Sequence, residues 1–207
     1  SFFEATQYYY LPVAAPLFAD SVSGNLVFIA DSAVRIPAQT IWEDAIVIAP
    51  HIHLEDGFAG NGQFFALDSL TVGKNVSLRY PSVLALLAPD SLNGPLKMTI
   101  GENSRIQGMV LLHRSEVPDQ MDVLELEKNV TLEGELISFG LVKYTDPLII
   151  NGGLYAHRLI TQRPSSLYEN YLINLNLERN KLHPYYIGPF FWSTDKPAPQ
   201  HIVKWLD

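Results

Sequence analysis

No cysteine occurs among the 207 residues, so a disulfide framework and a thiolate metal site are both excluded, while the compartment stays open. No run of about 20 apolar residues exists to span a bilayer. Basic residues are scarce, 14 Lys and Arg against 22 Asp and Glu for a net charge of −8, and they form no cluster. That balance argues against nucleic acid as a partner and against a polybasic membrane-surface patch. There is no glycine-rich phosphate loop opening a helix and no G-x-S-x-G elbow, so no cofactor is expected. The first residue is Ser rather than Met, the mark expected of a processed or trimmed chain.

What is present is a self-similar stretch between about residues 45 and 160. Its copies read IVIAPHIHLEDG, LTVGKNVSLRY, MTIGENSRIQG, LELEKNVTLEG and LIINGGLYAHR. Anchored on Ile48, Val72, Ile100, Leu126 and Ile150, the copies are spaced by 24, 28, 26 and 24 residues. A period of this size marks one supersecondary unit stacked on copies of itself. Four columns per copy are apolar in nineteen of twenty positions, Ser104 being the exception. They alternate with polar residues, the period-2 pattern of a strand with one buried face. Between anchor and next apolar position stand Ala49-Pro50-His51, Gly73-Lys74-Asn75, Gly101-Glu102-Asn103, Glu127-Lys128-Asn129 and Asn151-Gly152-Gly153. Glycine and asparagine tolerate positive φ, so each reads as a bend. The expected fold is all-β, a single-stranded parallel β-helix of about five to six coils, with Asn75, Asn103 and Asn129 stacked as an amide ladder.

Three regions follow: an extended lead-in over 1–25, the β-helix over 26–160 and a C-terminal cap over 161–207. In the cap, Ser166 and Glu169 form a capping-box pattern, and Leu167, Tyr168, Tyr171, Leu172 and Leu175 give a helix-like stripe. Tyr185, Tyr186, Phe190, Phe191 and Trp192 then supply aromatic rings, read as a hydrophobic plug or, at Tyr185 and Trp192, as an exposed platform for a ligand.

Chemistry is expected on two outward columns. One holds His53, Ser77, Arg105, Thr131 and Tyr155; the other holds Glu55, Arg79, Gln107, Glu133 and His157. Glu55 and Glu133 lie about three coils apart, too far for the paired carboxyls of a glycoside hydrolase. Glu55 and Arg79 are expected as opposite charges on adjacent strands. The candidate ligand-binding residues are therefore Tyr185, Trp192, His53, Glu55, Arg79 and Arg105, with no catalytic residue. His51 and His53 form an H-x-H pair with no further ligand in the neighbouring coil, so no metal is expected. Val72, Leu78 and Leu84, six apart, suggest a hexapeptide acyltransferase with His113 as base, but coils of 24 to 28 residues depart from the regular 18 of that class.

The run IVIAPHIHLEDGFAGNGQFFALDSLTVGKNVSLRYPSVLALL, with TIGENSRIQG, SSLYENYLIN and the terminal IVKWL, resembles uncharacterised bacterial envelope proteins in which an N-terminal membrane helix precedes an extracytoplasmic β-helix. The resemblance covers most of residues 26–207. More loosely, the stacking is similar to the bactofilin polymer-forming proteins. The resemblance implies an extracytoplasmic ectodomain, attached to a membrane only through a segment absent from this chain. The function expected is a non-catalytic structural or adhesive module of a bacterial cell envelope, with an envelope protein or a glycan as partner. The alternatives are a carbohydrate-binding or carbohydrate-processing β-helix and the hexapeptide acyltransferase.

Overall fold

A computed structural model describes residues 5–11, 20–88, 94–114 and 121–188. These form one 14-stranded sheet and a single turn of 3-10 helix, Arg179–Lys181. In chain order the strands are β1 (Gln7–Leu11), β2 (Ser21–Ser23), β3 (Leu26–Ala30), β4 (Val34–Ile36), β5 (Ile41–Leu54), β6 (Ala59–Val72) and β7 (Ser77–Ala88). There follow β8 (Lys97–Ile100), β9 (Arg105–Arg114), β10 (Val123–Leu126), β11 (Val130–Thr145), β12 (Leu148–Arg163), β13 (Ser166–Glu169) and β14 (Leu175–Leu177). Every pairing is parallel except the one between β12 and β13.

The pairing path closes on itself. From β6 it runs through β7, β9, β11, β10 and β8 and returns to β6, a closed six-strand parallel barrel in its connectivity. The other eight strands lie outside this ring. Two long strands make closure possible. β6 pairs with β7 over Ala59–Ala66 and with β8 over Ser69–Val72. β11 pairs with β9 over Thr131–Ser138 and with β10 over Leu141–Tyr144. The open β-helix solenoid expected from the repeat, and with it the likeness to bactofilins, is overturned by this closure.

The register also differs from the expected copies. Ile36 pairs with Leu54, Leu54 with Val72, Val72 with Ile100, Ile100 with Leu126 and Leu126 with Tyr144. The step is 18 residues, stretched to 28 and 26 only where the intervening chain includes 89–93 or 115–120. Ile48 therefore does not stack on Val72; it pairs with Phe65 and is half-buried. Ile150 pairs with Leu132 rather than Leu126. Consequently Ala49-Pro50-His51 and Asn151-Gly152-Gly153 lie inside β5 and β12, not in turns. A period-2 pattern looks the same on every stretch of such a chain, so a slip by an even number of residues keeps the alternation intact.

The middle copies behave as expected. Asn75, Asn103 and Asn129 adopt φ of 56°, 60° and 61°, the left-handed region asparagine tolerates. Asn103 Nδ2 donates to Asn75 Oδ1 at 3.4 Å, and Asn129 Nδ2 to Asn103 Oδ1 at 3.0 Å. Val72, Val76, Leu78, Ile100, Ile106, Leu126, Val130 and Leu132 are all buried in one continuous core. Burying each such side chain stabilises by about 1.5–3 kcal/mol relative to exposure. Ser104 is buried among them and fully engaged: its Oγ donates to the Gly73 carbonyl at 3.0 Å and accepts from Val76 N–H at 3.1 Å.

A buried ion pair ties the connections between β7 and β8 and between β9 and β10. Arg114 and Asp122 side chains are each 7% exposed. Arg114 donates from Nε to Asp122 Oδ2 at 3.0 Å and from Nη2 to Oδ1 at 3.1 Å. Nη2 also donates to the Gly94 carbonyl at 2.6 Å, and Leu96 N–H donates to Asp122 Oδ1 at 2.7 Å. A two-toothed pair with its remaining lone pairs satisfied is the geometry in which burial of charge is tolerated.

Among the described residues after β12 no helical cap forms. The residues of the expected capping box, Ser166–Glu169, are β13, antiparallel to the end of β12. Leu167, Tyr171 and Leu172 are exposed rather than packed as a helical stripe. The segment is pinned instead by Tyr144, whose hydroxyl donates to the Ile173 carbonyl at 3.1 Å and accepts from Ile173 N–H at 2.9 Å. No helix among the described residues is long and apolar enough to cross a membrane.

Candidate functional site

The outward residues singled out from sequence do not converge on one place. His53 is half-buried on β5, with Arg35 and Thr71 as register partners. Glu55 does not meet Arg79; it accepts from Arg35 Nε at 2.6 Å. Arg105 pairs with Glu133, which also accepts from Gln107 Nε2 at 2.7 Å. Tyr185 is 81% exposed, its ring 5.5 Å from that of His183. Trp192, Phe190 and Phe191 lie outside the described residues. His51 Nδ1 contacts Ser69 Oγ at 2.9 Å and Asp68 Oδ2 at 3.4 Å. Among the described residues no three His, Asp or Glu gather as a metal site.

Arg79 alone belongs to a larger constellation. The ladder breaks register between Trp42 and Ala45, between Gly60 and Gln63, and between Leu78 and Ser82. Such irregularities leave residues unpaired and re-aim their side chains. The residues at these breaks include the polar Glu43, Asp44, Asn61 and Arg79, with Tyr80 and Pro81 following Arg79. Asp44 has a φ of 56°. Its Oδ1 accepts from Asn61 Nδ2 at 2.6 Å, while Arg79 Nη2 reaches Asn61 Oδ1 at 3.4 Å and Glu43 Oε1 at 3.5 Å. Beside this network opens a crevice of about 460 Å³. Leu26, Val27, Ile46 and Pro81 supply apolar lining; Asn25, Asp44 and Gln63 supply polar groups. The sequence carries a trace of it, since the acidic pair Glu43-Asp44 interrupts the alternation of IWEDAIVI.

A second feature lies where the chain after the 3-10 turn crosses the outer face of the barrel. Ile187 N–H donates to the Tyr80 hydroxyl at 3.3 Å, and Tyr186 Oη donates to the Gly108 carbonyl at 3.4 Å. Glu135 on β11 lies under this crossing and is 5% exposed; its Oε2 has no hydrogen-bond partner. Burial holds its carboxyl above the usual range, with Arg179 pulling weakly the other way. Burial, and then the charge of Glu135, push the Tyr186 phenol up to about 12. Glu125 is the contrasting acid. Burial alone would raise it, but hydrogen bonds from Lys143 and Lys97 outweigh that and hold it below the ordinary carboxylate value.

No protein-family model, curated protein or solved structure matches the chain. The resemblance to β-helical envelope proteins is overturned by the closed ring, which is not the fold it implies.

Proposed function

We propose that the protein is a non-catalytic structural protein, a rigid all-β support whose outer charges hold strands together. One observation carries this reading: the acids of the polar face are spent on cross-strand partners. Glu125 sits between Lys97 at 3.2 Å and Lys143 at 3.1 Å. Glu133 lies between Arg105 and Gln107, Glu55 on Arg35, and Glu102 on Lys74. Each faces a cation or an amide on a neighbouring strand or turn, where a hydrolytic pair would need a second carboxyl within about 5–9.5 Å. Such pairs add little stability singly but repeat along the stack. The test is a screen of the purified protein against polysaccharide and ester substrates, with Glu55→Gln and Glu133→Gln in parallel. No turnover is expected from any of the three. Turnover that disappears in either variant would overturn the structural reading.

A further inference from the structure

We propose that the crevice beside Asp44 is a binding site for a small organic cation, an ammonium group carried on a short apolar chain. Its volume of about 460 Å³ falls in the range of small-molecule sites, which are largely apolar with a few placed polar groups. Leu26, Val27, Ile46 and Pro81 provide the apolar part. The charge balance of the wall decides the sign of the ligand. Among the described residues, Asp44 is the one charged residue that lines the crevice; off the wall, Glu43 takes up the Arg79 guanidinium at 3.5 Å. Asp44 takes its hydrogen bond from the neutral amide of Asn61, so its charge is solvated but not cancelled. The left-handed backbone at Asp44 places that carboxylate outside the ladder, facing the crevice it lines. A net charge of −8 on the whole chain raises the local concentration of cations and opposes anions.

The chemistry makes two demands on a ligand. The ammonium has to lie against Asp44, and the carbon chain has to cover Ile46 and Leu26. The experiment is a titration of the protein with methyl-, ethyl-, propyl- and butylammonium, followed by backbone amide shifts at Asp44, Ile46 and Gln63. Butanol and butyrate serve as neutral and anionic controls. Affinity is expected to rise about three- to four-fold per methylene, the worth of one buried CH₂. Asp44→Asn keeps a residue that tolerates left-handed φ and removes the charge; butylammonium should bind it about five-fold more weakly. Arg79→Gln, at an exposed position, removes the neighbouring positive charge and should tighten butylammonium about two-fold or more. The proposal fails if butyrate binds as well as butylammonium. It fails equally if affinity ignores chain length, or if neither variant changes it.

Discussion

Replacing Gly134 with alanine puts a methyl group where the Gly108 carbonyl already sits. Gly108, Gly134 and Gly152 are register partners on β9, β11 and β12, with φ of 143°, 150° and 153°. A Cβ on each would collide with the backbone of the strand before it: Ser82, Gly108 and Gly134 in turn. Gly57 isolates one half of the cost. It has a φ of 80° with nothing within 4 Å of an added Cβ, so alanine there meets only the left-handed penalty of roughly 1–2 kcal/mol. Gly134→Ala meets a comparable backbone penalty and a collision with main chain, which cannot swing aside as a side chain can. The strands must separate or lose their hydrogen bonds, which places the total at about 4 kcal/mol or more. At this chain length each kcal/mol moves Tm by about 2–4 °C. Gly57→Ala should therefore melt a few degrees below the parent, and Gly134→Ala roughly 10 °C or more below it. Thermal and urea unfolding followed by circular dichroism measure both. If the two variants differ by less than about 1 kcal/mol, the close stacking of the three glycines is wrong.

Leu126 is 1% exposed and paired between Ile100 and Tyr144, so Leu126→Asp would place an unpaired charge in the core and unfold the protein or lower Tm by about 10 °C or more, whereas Lys128→Asp in the exposed turn should cost little; equal melting of Leu126→Asp and the parent would show the column assignment to be wrong. Glu135 gives a pH dependence whose sign is set by its raised folded value. Below the ordinary carboxylate range both states hold the proton and the group contributes nothing; as pH rises through that range the unfolded chain ionises first, so stability falls until the folded value is passed. Glu135→Gln should remove this component, so that the gap in Tm between variant and parent widens in the variant's favour from pH 4 to pH 8; a gap that is flat with pH, or closes, contradicts the burial of the unpaired acid.

The sequence was most legible where a residue type is tied to one backbone conformation. Asn75, Asn103 and Asn129 announce their bends because few other side chains accept φ near 60°, and the structure stacks them as expected. Ser104, the lone polar residue in its apolar column, is buried with the rest because two backbone groups satisfy its hydroxyl. Register was not legible, for a physical reason. Leu54 and Ile48 are both apolar, both β-formers and an even number of residues apart, so alternation cannot say which of them meets Val72. Only the pairing partners do, and they choose Leu54. That one slip misplaced Glu55 beside Arg79, when the 18-residue step puts Arg35 opposite His53 and within reach of Glu55.

The tail misled for a related reason. Ser166 and Glu169 are a fair helix start in an isolated chain, since a capping box satisfies two backbone donors locally. Here the end of β12 offers those same backbone groups an antiparallel partner, and Ser166–Glu169 takes it. Long-range pairing overrides a local preference worth only about 1 kcal/mol. The crevice shows the opposite relation between local irregularity and function. Glu43-Asp44, Asn61 and Arg79 are the points where the repeat is imperfect, and a search for regular columns passes over them. Where the ladder is regular, Glu125 and Glu133 spend their charge on neighbours. Asp44 stands at a break in the register, its carboxylate bonded to a neutral amide, on the wall of a crevice large enough to hold a ligand.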